Sequence, residues 1–384
     1  MKTQSNESIP GWMLWSVWLG LIVVSIGLIF WPNVKIPKSA PLCGSNANGS
    51  LIPTTKQQVT NEKLNLSTKA DSAIGTDDAR PSIINIRAGF GLSTPANPQV
   101  WAGKLGAGWY LDWTVQQRRS FQAPEHFQMI RLNLNCHYPD NGVIQWTAMH
   151  FPGQVWIIGN EPDVIWQDSI PAEAYARAYH ELYLFIKSAD PTSKIAVAGV
   201  AQGTPLRLAY LDNVLAAYQN LFGEHMPVDW WTVHGYVLRE QKGSWGVEIP
   251  PGMNVRDGAL YEVEDHGRID LFENQIILFR GWMEKNGYRE IPLALTEFGI
   301  LMPPEYGFSN DFINDYLFRT FTWLAQARDQ ETGYPADDYR LVQRWAWFSL
   351  GDVNYPVSDL ANFPAKKLTI TGQAFRSWVE LNHR

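Results

Sequence analysis

Eight short apolar runs recur between residue 81 and the carboxyl terminus, and nearly all are followed by a stretch of helical period. The runs fall at 83–90, 108–114, 127–134, 155–159, 194–200, 228–237, 292–298 and 342–350. Most read as continuous apolar segments rather than alternating ones, as parallel strands buried on both faces do. The intervening helices are expected at 100–105, 171–188, 206–221, 269–286, 311–327 and 372–381. The longest of the early ones has Tyr175, Tyr179, Leu182 and Ile186 on one face, with Ser169 as N-cap and Pro171 in its first turn. Gly287 stands where a helix ending at residue 286 needs a left-handed C′ residue. Strand–helix alternation repeated eight times predicts an α/β protein, a (β/α)8 TIM barrel. An open doubly wound sheet would want a Gly-rich phosphate loop after an early strand, and none is present. The weakest unit lies between the third and fourth runs, where 141–153 has room only for a short helix.

Two segments precede this pattern. Residues 12–31 carry no charge over a length that, at 1.5 Å per residue, covers roughly 30 Å, the thickness of a bilayer core. Tryptophans stand at both ends, as in aromatic belts. The expectation is a transmembrane anchor at 1–31, then a disordered linker at 32–80 rich in Ser, Thr, Asn, Lys and Gln, then the barrel at 81–384. The rival is a secretory signal, with the protein released after cleavage. The apolar run is long for that, no A-x-A site follows, and the candidate Ser39-Ala40 is followed by Pro41. On the first reading the protein is membrane-anchored through its N-terminal helix with the barrel outside the cell. Cys43 and Cys136 cannot build a disulfide framework, and Cys136 reads as a buried free thiol.

Composition narrows the partner. Charged residues are 18% of the chain and the net charge is −7, which speaks against a nucleic-acid binder. The chain holds 18 Trp, 15 Tyr and 17 Phe, a composition suited to flat, weakly polar ligands such as sugars. Eight histidines show no H-x-H or H-E-x-x-H spacing, and no G-x-S-x-G occurs, so neither a metal, a cofactor nor a serine triad is called for. A monomer with a carbohydrate substrate is expected.

In a barrel the chemistry sits at the carboxyl ends of the strands. The fourth run leads into Asn160-Glu161-Pro162-Asp163, the sixth into His234-Gly235-Tyr236, and the seventh into Glu297-Phe298-Gly299. Two carboxylates facing each other across the mouth suit glycosidic cleavage, one as acid/base and one as nucleophile. Glu161 is assigned as acid/base and Glu297 as nucleophile, the latter held ionised from the His234 and Tyr236 side. Asn160 is expected on the sugar 2-hydroxyl and Trp347, from the eighth run, beneath the sugar ring, with Trp345 deeper. Trp109 and Asp112, at the second strand, are taken as further cleft residues, with Trp113, Trp166 and Trp245 as additional aromatic candidates. Long loops at 238–268 and 301–308 are expected to wall the cleft.

The ordered set GNEPD, HGY, LTEFG and a Trp-bearing eighth strand resembles the clan-A retaining glycoside hydrolases, and within them the catalytic-core group that includes β-1,3-glucanases. The resemblance covers roughly 81–384. It implies a retaining hydrolase of O-glycosidic bonds in a β-linked polysaccharide or oligosaccharide, working by double displacement. It carries the acid/base onto Glu161 and the nucleophile onto Glu297. One departure is visible. The arginine that many clan members carry near the end of the second strand is replaced by Asp112, leaving Arg87 or Arg131 to support the nucleophile. Two rivals share these residues: a catalytically inactive surface glycan-binding barrel, and a transglycosylase.

Overall fold

A computed structural model describes residues 83–117 and 124–382. The proposed membrane segment and linker lie outside the described residues. Among those described, no helix is long and apolar enough to cross a membrane.

The strands are β1 (Asn85–Gly91), β2 (Ala107–Leu111), β3 (Glu125–His126), β4 (Gln128–Asn133), β5 (Cys136–Tyr138), β6 (Val155–Ile158), β7 (Lys194–Val197), β8 (Trp231–His234), β9 (Leu293–Phe298) and β10 (Arg344–Trp347). The helices are α1 (Pro98–Leu105), α2 (Asn141–His150), α3 (Ala172–Ala189), α4 (Pro205–Phe222), α5 (Ile269–Lys285), α6 (Asn310–Gln326) and α7 (Ile370–Leu381). Six strands form one parallel sheet in the order β3-β2-β1-β10-β9-β8, and β4, β6 and β7 run parallel in a second. The two sheets meet at both edges. Phe127 separates β3 from β4, and its N–H donates to the Tyr110 carbonyl at 3.1 Å. At the other edge the Val197 N–H donates to Trp230 O at 3.1 Å and the His234 N–H to Val200 O at 2.9 Å. With β3 and β4 counted as one interrupted strand, the ring has eight members, a TIM-barrel-like architecture. The observed strands are shorter than the apolar runs because the run ends continue into loops. The helix α3 starts from Pro171 without a side-chain cap, so Ser169, with φ 51°, is not its N-cap.

Side-chain alternation divides the core in two. Trp109, Leu111, Phe127, Met129, Val155, Ile157, Ala196, Ala294 and Ala346 fill the barrel interior, while the neighbouring strand residues pack against the helices. Trp231 faces the helix layer against Phe279 and Trp282, and Trp230 faces inward against Phe127. Cys136 is half-buried and disulfide-bonded, not the buried free thiol expected from sequence.

Candidate active site

Each of the two glutamates is brought to the mouth by a local irregularity. After β6, Gly159 takes φ 93° and Glu161 φ 44°, the left-handed region that a glutamate enters only at a cost of roughly 1–3 kcal/mol. The turn is held from several sides. Glu161 N–H donates to Gly199 O at 3.0 Å, and Asp168 accepts from the N–H groups of Asn160 (2.7 Å) and Leu132 (2.9 Å) and from Arg131 Nε (2.7 Å). Buried Asp163 pairs with buried Arg207 at 3.1 Å, fixing the far side of the same turn. In β9 the irregularity is a bulge. Val233 pairs with Leu295 but His234 with Glu297, so one extra residue enters the strand. The parity of the strand changes there. Glu297 therefore turns to the mouth, while Phe298 packs on the helix layer against Phe272 and Phe321.

His234 is fully buried and lies between the two carboxylates. Its Nδ1 is 2.9 Å from Glu161 Oε1, and its Nε2 is 3.5 Å from Glu297 Oε1. Tyr236 Oη donates to Glu297 Oε2 at 3.2 Å, and Trp113 Nε1 donates to Glu297 Oε1 at 2.7 Å. One oxygen of Glu161 and one of Glu297 lie within 4.8 Å of each other and of a His234 nitrogen. This is the one group among the described residues whose geometry could hold a metal ion, and within it His234 hydrogen-bonds Glu161 while its Nε2 has no hydrogen-bond partner. Asn160 is buried beside Glu161, and its side-chain oxygen has no hydrogen-bond partner.

The electrostatics follow from burial. Desolvation pushes the Glu161 carboxyl up to about 7, opposed by the positive charges of Arg131 and Arg207. Burial also raises Glu297, opposed by His234 and by the Trp113 and Tyr236 donors. Desolvation lowers His234. Glu297 accepts from Trp113 and Tyr236, which favour its ionised form, whereas Glu161, at about 7, keeps part of its proton at neutral pH.

Sequence reasoning placed Asn160, Glu161, His234, Tyr236 and Glu297, and the structure brings all five together. The assignments of Trp347, Trp109, Asp112 and the supporting arginine are corrected. Trp347 is fully buried, donates to Ser358 O at 2.9 Å and packs on Phe298, Phe321 and Tyr316, so it lies under α6 and not under a ligand. Trp345 shares that outward face, against Phe321 and Trp378. Inward-facing Ala346 and then Phe348 carry the strand to the mouth, where the Phe348 ring meets Trp113, Tyr236 and Tyr355 edge-on. Trp109 is buried in the barrel interior, donates to Arg87 O and packs on Phe127. Asp112 is spent on its own loop, accepting from His126 Nε2 (2.8 Å), Thr114 Oγ1 (2.9 Å) and Gln116 Nε2 (2.8 Å). Neither candidate arginine supports Glu297. Arg87 makes a two-pronged contact with Asp337 in the loop before β10, and Arg131 pairs with Asp168 on the Glu161 side. In the sequence Phe348 is marked only by the two-residue period from Ala346, next to two more conspicuous tryptophans.

Comparison with protein-family models finds no match, and neither does comparison with curated proteins. The fold is similar to solved structures. A GH128 (subgroup II) endo-β-1,3-glucanase from Sorangium cellulosum superposes with a TM-score of 0.52 at 17% identity, covering 76% of this chain and 98% of that one. A GH128 (subgroup II) endo-β-1,3-glucanase from Pseudomonas viridiflava gives 0.51 at 19% identity, with coverages of 76% and 97%. A GH128 (subgroup I) endo-β-1,3-glucanase from Amycolatopsis mediterranei, in complex with laminaritriose, gives 0.50 at 16% identity, with coverages of 77% and 100%.

Proposed function

We propose that this protein is a retaining glycoside hydrolase that cleaves a β-linked glucan, with β-1,3-glucan as the substrate class. The observation that carries the reading is the pair Glu161 and Glu297, with oxygens within 4.8 Å across one cleft. Retaining enzymes hold their carboxyl groups at about 5–5.5 Å, whereas inverting enzymes leave roughly 6.5–9.5 Å for a water. The glucan class rests on the fold shared with three β-1,3-glucanases, one of them bound to laminaritriose.

In the first step Glu161 gives its proton to the leaving oxygen while Glu297 attacks the anomeric carbon, forming a glycosyl ester. In the second, Glu161, now ionised, takes a proton from water, which attacks the same carbon and releases Glu297. Burial supports the first role by letting Glu161 keep part of its proton near neutrality. Asn160, with its unpartnered side-chain oxygen, is suited to accept from the sugar 2-hydroxyl. Phe348 takes the apolar role in the mouth, and Trp166, half exposed on the loop after Glu161, offers a ring to a neighbouring sugar. The loops at 238–268 and 301–308 are assigned to choosing the substrate.

We place the catalytic domain outside the cell. A polymeric substrate is met there, and the disulfide at Cys136 fits an oxidising compartment. The test is reducing-end release from a panel of β-1,3-, β-1,4- and mixed-linkage glucans. Release from β-1,3-glucan that disappears in Glu161→Gln supports the reading; glycan binding without release by the intact protein sinks it.

A further inference from the structure

The nucleophile position raises a question that the two-carboxylate reading does not answer. Glu297 is only 6% exposed, yet among the described residues no arginine or lysine forms an ion pair with it. A buried carboxylate needs donors for its lone pairs, or it takes up a proton instead. The shortest hydrogen bond to Glu297 comes from Trp113, an indole N–H at 2.7 Å, shorter than the Tyr236 contact at 3.2 Å. A bond of that length from a nitrogen to a carboxylate is in the charge-assisted range.

The indole is delivered by a built loop. Trp113 takes φ 54°, a left-handed conformation costly for a bulky residue, in the turn that follows β2. Asp112 pins that turn through His126, Thr114 and Gln116. Gly91 makes room for the ring, since a Cβ there would stand 2.8 Å from Trp113 Cη2. Phe348 closes the other side, edge-on at 5.7 Å. Strain, a glycine and a half-buried carboxylate spent on the loop are more than packing one half-buried ring requires.

We infer that Trp113 is the principal positioning residue of the nucleophile, holding Glu297 ionised through a neutral donor in place of a cation. The inference rests on the proposed hydrolase reading for its kinetic consequences, but not for the contact itself. A neutral donor stabilises the charge without neutralising it, so the carboxylate keeps a full negative charge for attack on a developing oxocarbenium ion. His234 is then the nearest side chain that could carry a positive charge, and its Nε2 stands 3.5 Å from Glu297 Oε1 without a hydrogen bond between them.

The experiment uses the intact protein labelled with 15N at its indoles. One Trp Nε1–H resonance, lost in Trp113→Phe, is expected downfield and moves with pH in a single titration; in Glu297→Gln that titration disappears. Kinetics give the second readout. In Trp113→Phe and in Gly91→Ala, which pushes the ring aside, the acidic limb of kcat/KM is expected to rise by about one pH unit, the worth of one hydrogen bond to a charged group. Trp146→Phe, which removes a partly exposed indole of α2, leaves that limb in place. If Trp113→Phe does not fold, the resonance is identified as the one whose titration Glu297→Gln removes. An indole set in which no resonance titrates with Glu297, or an acidic limb unmoved in a folded Trp113→Phe, overturns the inference. A titrating indole in a protein that releases no sugar keeps the contact and rejects only the hydrolase reading.

Discussion

His234 Nδ1 lies 2.9 Å from Glu161 Oε1, the imidazole fully buried and the carboxyl nearly so. Burial, partly offset by Arg131 and Arg207, sets Glu161 at about 7. The acid/base must start protonated, so activity falls as pH rises through that value. The pH profile of kcat/KM is expected to show an alkaline limb near pH 7. A profile flat from about pH 6 to 9 contradicts the assignment of Glu161 as the acid.

Removing the proton donor should matter most where the leaving group is poorest. Glu161→Ala is expected to lose about 100- to 10,000-fold on a glucan, whose leaving group is an alcohol. On an aryl β-glycoside with an acidic phenol the first step needs little protonation and survives far better. Equal losses on both substrates would argue for a purely structural glutamate. Steady-state kinetics on the two substrates, with a check of folding, decide it.

Trp347 and Phe348 are adjacent and serve different layers. Trp347→Ala removes a fully buried indole under α6 and is expected to cost about 3–5 kcal/mol of stability, with KM of the folded fraction unchanged. Phe348→Ala removes a ring from the mouth and is expected to raise KM with a smaller loss of stability. Denaturant melts and KM values on one glucan separate the two, and a sugar-binding defect confined to Trp347→Ala would reverse the placement.

His266 joins two loops of the cleft. Its Nε2 accepts from Leu301 N–H at 2.9 Å and its Nδ1 faces Val237 O at 3.1 Å. Desolvation lowers it to about 4. The unfolded chain takes up this proton near pH 6.5 and the folded chain only near 4, so stability rises with pH between the two and is lost on acidification through that window. The loss from this one group is about 3 kcal/mol, an upper figure for a fully buried ring. His266→Gln, which does not titrate, should be less stable at pH 7 but lose less between pH 6.5 and 4. Melting temperatures of both proteins across that range provide the check.

Much of the site was legible in the chain because it sits at strand ends, where an apolar run stops at a polar residue. Asn160-Glu161, His234, Tyr236 and Glu297 all carry that mark. What was not legible depends on parity and on loops. A strict two-residue period through β9 would set Glu297 on the face opposite Ala294, and only the bulge reverses this. The same period, applied to β10, sends Trp345 and Trp347 to the helices and Phe348 to the mouth. Trp109 illustrates the limit from the other side: it follows the alternation, but its depth in the barrel is set by neighbours far away in sequence. A charge pair is the usual support for a buried carboxylate and points to an arginine beside Glu297, whereas the chain supplies an indole from a strained turn.

The central claim is that Glu297 forms a glycosyl ester, and intact mass with peptide mapping after exposure to an activated 2-deoxy-2-fluoro-β-glucoside tests it most directly. The fluorine slows the second step more than the activated first step, so the ester accumulates. The account predicts one added sugar per chain, on the peptide carrying Glu297, and none in Glu297→Gln. A label on another residue, or no label while glucan hydrolysis releases the inverted anomer, would contradict it.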